Sequence, residues 1–226
     1  MTFGYQRYFN TVGMEKRLTR AQKRERTHEE LVSSAERLFV ERGFHASTVD
    51  EIALEAGYTK GAVYSNFVSK EDLFFAVYER RAGRAVAQVE DILDENGPAA
   101  GLEVLASDAA RRRGGVEDGW LAVFFEFWAH VVRRPELRDR FAEIHRRALE
   151  PMAAAVERFA GERGISIPVE ARSLNVAMNA MVLGLSLERL TQPDVVDVGL
   201  GARMVRLVLE DLERGGFVGA SEDRKE

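Results

Sequence analysis

Within the 226 residues of this chain, Thr59, Lys60, Ser65 and Asn66 place two hydroxyls, an ammonium and a carboxamide close together in sequence. Such groups hydrogen-bond base edges and phosphates, and on a short helix they occupy the faces left over once one apolar residue is turned inward. Val63 is that residue. A helix-turn-helix of about twenty residues needs a small residue where its helices touch, a turn-tolerant one four places on, and a branched apolar anchor six places later. Ala53, Gly57 and Val63 stand at that spacing. The chemistry implied is recognition of a DNA major groove by an exposed helix.

Turnover chemistry finds little to work with. The chain has no cysteine, which removes thiolate catalysis, disulfides and Cys-based metal sites, and its histidines (His28, His45, His130, His145) are scattered. Neither a Gly-rich phosphate loop nor a G-x-S-x-G stretch is present. No enzyme activity, metal or cofactor is expected. Apolar content of 46% with 31% charged residues suits an ordinary globular protein. No run approaches the roughly 18 unbroken apolar residues of a spanning helix, and the first residues lack the plan of a secretory signal, so the expectation is a cytoplasmic protein without membrane contact.

The elements that must position these residues read as helices throughout, because apolar residues recur at helical spacing and nothing alternates as a strand does. The first helix is expected from about Arg20 or Thr27 to Arg42, with Gly43 at its end and Phe44 folding back. Thr48-x-x-Glu51 has the form of a capping box for a second helix. Thr59 can cap a third through about Asn66, and Ser69-x-x-Asp72 a fourth that ends at Gly97-Pro98. Later breakers leave room for five more helices, and the apolar stripe across Pro151 keeps its phase, which predicts a kink there and not a stop.

The net charge of -5 hides an asymmetry: residues 1 to 27 carry a local balance of +5, leaving -10 for the rest. A basic front end suits a polyanion partner, although a solvated tail has the same composition. Met14 is an alternative start. The chain divides on this basis into a basic tail (1-19), a helix-turn-helix domain (20-68), a helical effector-binding and dimerisation domain (69-216) and a polar tail (217-226).

Leu31 to Tyr78, through its Ala35, Leu38, Phe39, Gly43, Phe44, Thr48, Ile52, Ala53, Gly57, Gly61, Tyr64, Phe67, Lys70, Leu73 and Phe74, resembles the DNA-binding domain of the TetR (tetracycline repressor) family. The resemblance implies a ligand-responsive transcriptional regulator, most simply a repressor, that binds a palindromic operator as a homodimer and is released by a small-molecule effector. It also implies contacts to double-stranded DNA. Lys60, Gly61 and Val63 take recognition-helix positions, while Thr48, Tyr64 and Lys70 take phosphate-contacting ones, and Arg20, Lys23 and Arg24 extend toward an adjacent minor groove. Asn66 stands where the family usually has histidine, and it can bond phosphate or read adenine.

The C-terminal part matches that family only in length and helical character. Leu174, Met178, Met181 and Leu185, with Ala177, Ala180 and Gly184 beside them for close approach, stripe one late helix, and Met204, Val208 and Leu212 another, as for a dimer face or for intrachain core. Trp120, Phe124, Phe127 and Trp128 crowd one aromatic helix and are candidates to line an effector pocket, with Asn175 and Asn179 as its polar points; ordinary core is the competing use. Glu126 and His130, one turn apart, are expected to form a local pair. The alternative function is a helical small-molecule-binding or protein-interaction module without DNA regulation.

Overall fold

In the computed structural model, residues 19-111, 116-197 and 199-215 are described, and every regular element among them is a helix. Of the two expected tails, only Thr19 lies within the described residues. Helix α1 (Arg20–Arg42) starts where Thr19 Oγ1 accepts from Gln22 N at 3.2 Å and Gln22 Oε1 accepts from Thr19 N at 2.9 Å, a capping box one turn ahead of Lys23. It ends at Gly43, whose φ of 85° is open to a residue without Cβ.

Helices α2 (Val49–Glu55) and α3 (Lys60–Tyr64) follow, capped by Thr48 and Thr59 as their sequences imply. Helix α3 stops two residues short of Asn66. Helix α4 (Lys70–Arg111) begins with Ser69 Oγ accepting from Asp72 N and Asp72 accepting from Val68 N, both at 3.1 Å. The expected stop at Gly97-Pro98 is instead a break: Gly97 adopts φ 74° and helix resumes at once. Helices α5 (Val116–Val132), α6 (Pro135–Arg163), α7 (Ala171–Thr191) and α8 (Leu200–Glu213) complete the order, and α6 continues through Pro151 as anticipated.

Two apolar clusters hold these helices. The larger joins the first helices to α4, α5 and the start of α6, with Leu31, Phe39, Phe44, Ile52, Val63, Phe74 and Phe127 all at or below 1% exposure. Burying a side chain of this size contributes roughly 1.5 to 3 kcal/mol. The expected boundary between 68 and 69 is therefore crossed by continuous packing. The smaller cluster joins Leu93 of α4 to Val156 and Phe159 of α6 and to Leu209 and Leu212 of α8. Helix α4 thus touches both.

Candidate nucleic-acid interface

Helix α3 is pinned from behind. Val63 is 1% exposed and Ala53, facing it across the turn, is 2% exposed, with Gly57 taking φ 75° between them. Burial at this level corrects one expectation: Val63 serves as the anchor and cannot also contact DNA. Tyr64, next in sequence, is 50% exposed and points its ring away from the core.

The other expected contacts differ in how free they are. Lys60 is exposed and bonds the Asp50 carboxylate of α2, at 2.8 Å to one oxygen and 3.0 Å to the other. That bond raises the Lys60 pKa above its ordinary value. Thr59 Oγ1 accepts from Ala62 N at 3.3 Å. Thr48 gives its hydroxyl hydrogen to Glu51 Oε2 at 2.8 Å, so that proton is already placed. Gly61 is exposed, and an added Cβ would meet its nearest neighbour, Thr59 Oγ1, at an unstrained 3.7 Å. Ser65 Oγ and Asn66 Nδ2 both turn back to the Ala62 carbonyl at 2.8 Å. The Asn66 amide is therefore committed to closing the end of α3, not aimed outward.

Arg20, Lys23 and Arg24 are exposed and helical, α1 beginning at the earlier of its two expected starts because the Thr19 box winds them into it. The front half of α1 lies beside the recognition segment, because Tyr58 OH bonds Glu30, Thr27 Oγ1 donates to Tyr58 OH at 3.3 Å, and the His28 and Phe67 rings sit 4.7 Å apart.

Lys70 is more deeply engaged than expected. Its Nζ donates to the carbonyls of Phe44 at 2.8 Å, Ser47 at 2.9 Å and His45 at 3.3 Å, and lies 4.4 Å from the centre of the Phe44 ring. Three hydrogens meet three carbonyls, so a phosphate must displace one of them to be contacted. Burial lowers the Lys70 pKa, with Glu71 and Glu126 opposing.

Glu126 and His130 do not pair with each other. Glu126 accepts from the backbone amides of Phe44 and His45, each at 2.8 Å, while His130 Nε2 lies 3.2 Å from Glu71 Oε1. Sequence spacing could not reveal a contact bridging 82 positions. Farther along α4, Arg80 and Arg81 hold Glu36 of α1. Burial alone would push the Glu36 carboxyl up, but hydrogen bonds from Arg81 and Arg80 outweigh it and hold the group below its usual range.

Among the expected effector residues, Phe127 is fully buried between Phe44 and Phe74, at ring separations of 4.9 and 3.9 Å, so it is core that joins α5 to the helix-turn-helix. Asn175 is likewise committed, donating to the Leu149 carbonyl at 2.8 Å near the Pro151 position. Trp120 and Trp128 are half-buried, and Phe124 is buried beside them. Asn179 is half-buried on α7. The polar pair within this aromatic group is one the sequence did not disclose: Tyr78 OH meets His145 Nδ1 at 2.7 Å, and Phe124, Trp128 and Phe141 surround the imidazole.

On the late helices, Met178 and Leu212 are buried within the chain, which removes them from any dimer face. Leu174 and Val208 pack on the smaller cluster, and Met181, Leu185 and Met204 are half-buried. Exposed are Ala177, Ala180 and Gly184, expected beside that stripe, together with Val176 and Leu187, one small and apolar strip of α7.

Residues 31–77 match the profile described as bacterial regulatory proteins, tetR family, and residues 99–214 match the one described as BetI-type transcriptional repressor, C-terminal. The chain belongs to the TetR family. Within that family it is similar to the transcriptional activator FasR of Mycolicibacterium smegmatis, with 33% identity over 118 residues, or 52% of this chain and 47% of that protein. It is similar also to the repressor AcnR of Corynebacterium diphtheriae, with 30% identity over 122 residues, or 54% of this chain and 58% of AcnR. The matched stretch thus spans about half the length of these TetR-family relatives. A Saccharomonospora viridis protein solved in complex with choline shares the fold at a TM-score of 0.67 and 21% identity, over 82% of this chain and 96% of that one.

Proposed function

We propose that this chain is a ligand-responsive transcriptional repressor that binds a palindromic operator as a homodimer and leaves it when a small-molecule effector binds. The observation that carries this is helix α3: Val63 is sunk in the core while Lys60, Gly61 and Tyr64 face solvent, the arrangement a major groove requires. The repressing sign rests on the BetI-type profile matched by the second domain. No catalytic role is assigned, in keeping with a family of regulators.

Pairing of two copies has its support in the exposed strip of α7. Small residues there let another helix approach closely, and a palindrome is read when two recognition helices are held one helical turn apart, about 34 to 36 Å. An effector acts on this spacing through α4, which starts beside α3 and packs against α1, α6 and α8. A ligand that favours one tilt of α4 needs only a few kcal/mol of differential affinity. Trp120, Phe124 and Trp128, with Tyr78 and His145, are the groups assigned to that ligand.

Selection of bound sequences from random duplex, with the salt dependence of the winners, tests the proposal. A palindromic motif whose affinity falls steeply with salt is expected. Lys60→Ala should relax sequence preference, and Tyr64→Phe should weaken all sites alike. Failure to enrich any motif, or a flat salt dependence, rejects the DNA-binding function.

A further inference from the structure

We propose that Asp50 is a specificity-determining residue of this interface: its carboxylate holds the Lys60 ammonium so that the two side chains together read a G·C base pair. The inference rests on the DNA-binding function proposed above and adds a residue to it.

Both carboxylate oxygens of Asp50 lie within hydrogen-bond reach of Lys60 Nζ, at 2.8 and 3.0 Å, tying the first turn of α2 to the first residue of α3. The two side chains are 63% and 57% exposed. A pair so open to solvent adds little to stability. Its cost falls on binding, because a carboxylate beside a recognition helix repels phosphates and cancels the attraction Lys60 would otherwise give to every sequence.

That cost is offset if the pair reads bases. A lysine on a flexible stem is drawn to whichever phosphate is nearest; held by Asp50, the ammonium keeps one position and turns its remaining hydrogen outward. The pair then presents a donor next to an acceptor. In the major groove, guanine O6 or N7 accepts that one hydrogen from lysine and cytosine N4 donates to aspartate, so both preferences converge on one G·C pair. Asp50 also suits the positive end of α2, but that effect is independent of Lys60 and of DNA sequence.

The test compares the full chain with Asp50→Asn, Lys60→Gln and the double variant, each carried through selection from random duplex. The wild type is expected to enrich a motif with a G·C pair that Asp50→Asn no longer prefers. Asp50→Asn should also bind unselected duplex three- to tenfold more tightly at low salt. Its log affinity should fall more steeply with log salt, by about one unit per recognition helix, because Lys60 is released to a phosphate. With Lys60→Gln already present, adding Asp50→Asn should leave the salt slope unchanged and raise affinity for unselected duplex less than it does in the wild type. An unaltered motif and slope in Asp50→Asn, or an equal loss on every duplex, overturns the inference while leaving the DNA-binding function standing. A wild type that enriches nothing removes both. Thermal melting of each variant separates loss of fold from loss of reading, and Lys60→Gln provides a second route to the same lost preference.

Discussion

Lys70 and Glu126 grip opposite sides of one loop. The ammonium of the first, on α4, takes the carbonyls of Phe44, His45 and Ser47, and the carboxylate of the second, on α5, takes the amides of Phe44 and His45. The loop joins α1 to α2, so two helices of the second domain reach the helix-turn-helix through the same few peptide groups. Helix α5 also carries Trp120, Phe124 and Trp128. A shift of α5 by a bound molecule would therefore pull on the backbone that leads directly into α2.

Glu126→Ala should destabilise the protein by about 1 to 3 kcal/mol, since the partly buried amide of Phe44 and the exposed one of His45 lose a charged acceptor. Gly43 is fitted to the same carboxylate: it has φ 85°, and a Cβ there would lie 2.7 Å from Glu126 Oε2. Gly43→Ala should cost about 1 to 3 kcal/mol through backbone strain, plus the clash. In the Glu126→Ala background the clash disappears and only strain remains. Denaturant midpoints of the two single variants and the double give the coupling, and simple additivity would contradict this contact.

Lys70→Met keeps the aliphatic stem over Phe44 but leaves three carbonyls without their donor. Stability should fall by about 1 to 3 kcal/mol. Amide exchange should quicken across Gly43 to Thr48 while the smaller cluster around Val156 keeps its protection. Unchanged exchange in that loop would mean the ammonium is ordinarily turned to solvent, free for phosphate.

His145 and His130 both have pKa values lowered from the ordinary imidazole range. Burial is the main cause in each; for His130, Arg134 adds to it and Glu71 opposes. A base whose folded pKa is depressed leaves the unfolded chain holding more protons, so stability is complete above the unfolded value of about 6.5 and declines as pH falls through it toward the folded values. Melting temperature followed from neutral pH to about 5, above most carboxylate titration, should show that decline. His145→Gln should remove part of it. A variant that declines as steeply as the parent would deny His145 any share.

Much of this was legible in the sequence where local rules govern. Thr48, Thr59 and Ser69 cap the helices their spacing implies, and Gly43 and Gly57 take the positive φ their places require. The site was legible as far as Val63 behind and Tyr64 in front, since helical period alone sorts those two. Partners distant in sequence were not. Glu126 reaches Phe44, Tyr78 reaches His145 and Asn175 reaches Leu149 through the packing of helices whose crossing no spacing rule supplies. The stripe of α7 divides for a related reason: Met178 is buried and Leu174, Met181 and Leu185 are half-buried, whereas Ala177, Ala180 and Gly184, expected beside them, lie exposed with Val176 and Leu187.

Gly61→Ala separates the demands of the fold from those of the groove. The position is an exposed one in α3, its backbone needs no positive φ, and the nearest atom to an added Cβ is an unstrained 3.7 Å away. By helix propensity the substitution should therefore stabilise the isolated protein, by up to about 1 kcal/mol. If α3 lies in a major groove, the same methyl group keeps the backbone from its closest approach, and affinity for selected duplex should fall while the melting temperature rises. The two measurements then move in opposite directions in a single variant. A protein that gains stability and binds DNA as before would show that the missing side chain serves no contact, and Lys60 and Tyr64 would then have to account for recognition without close backbone approach.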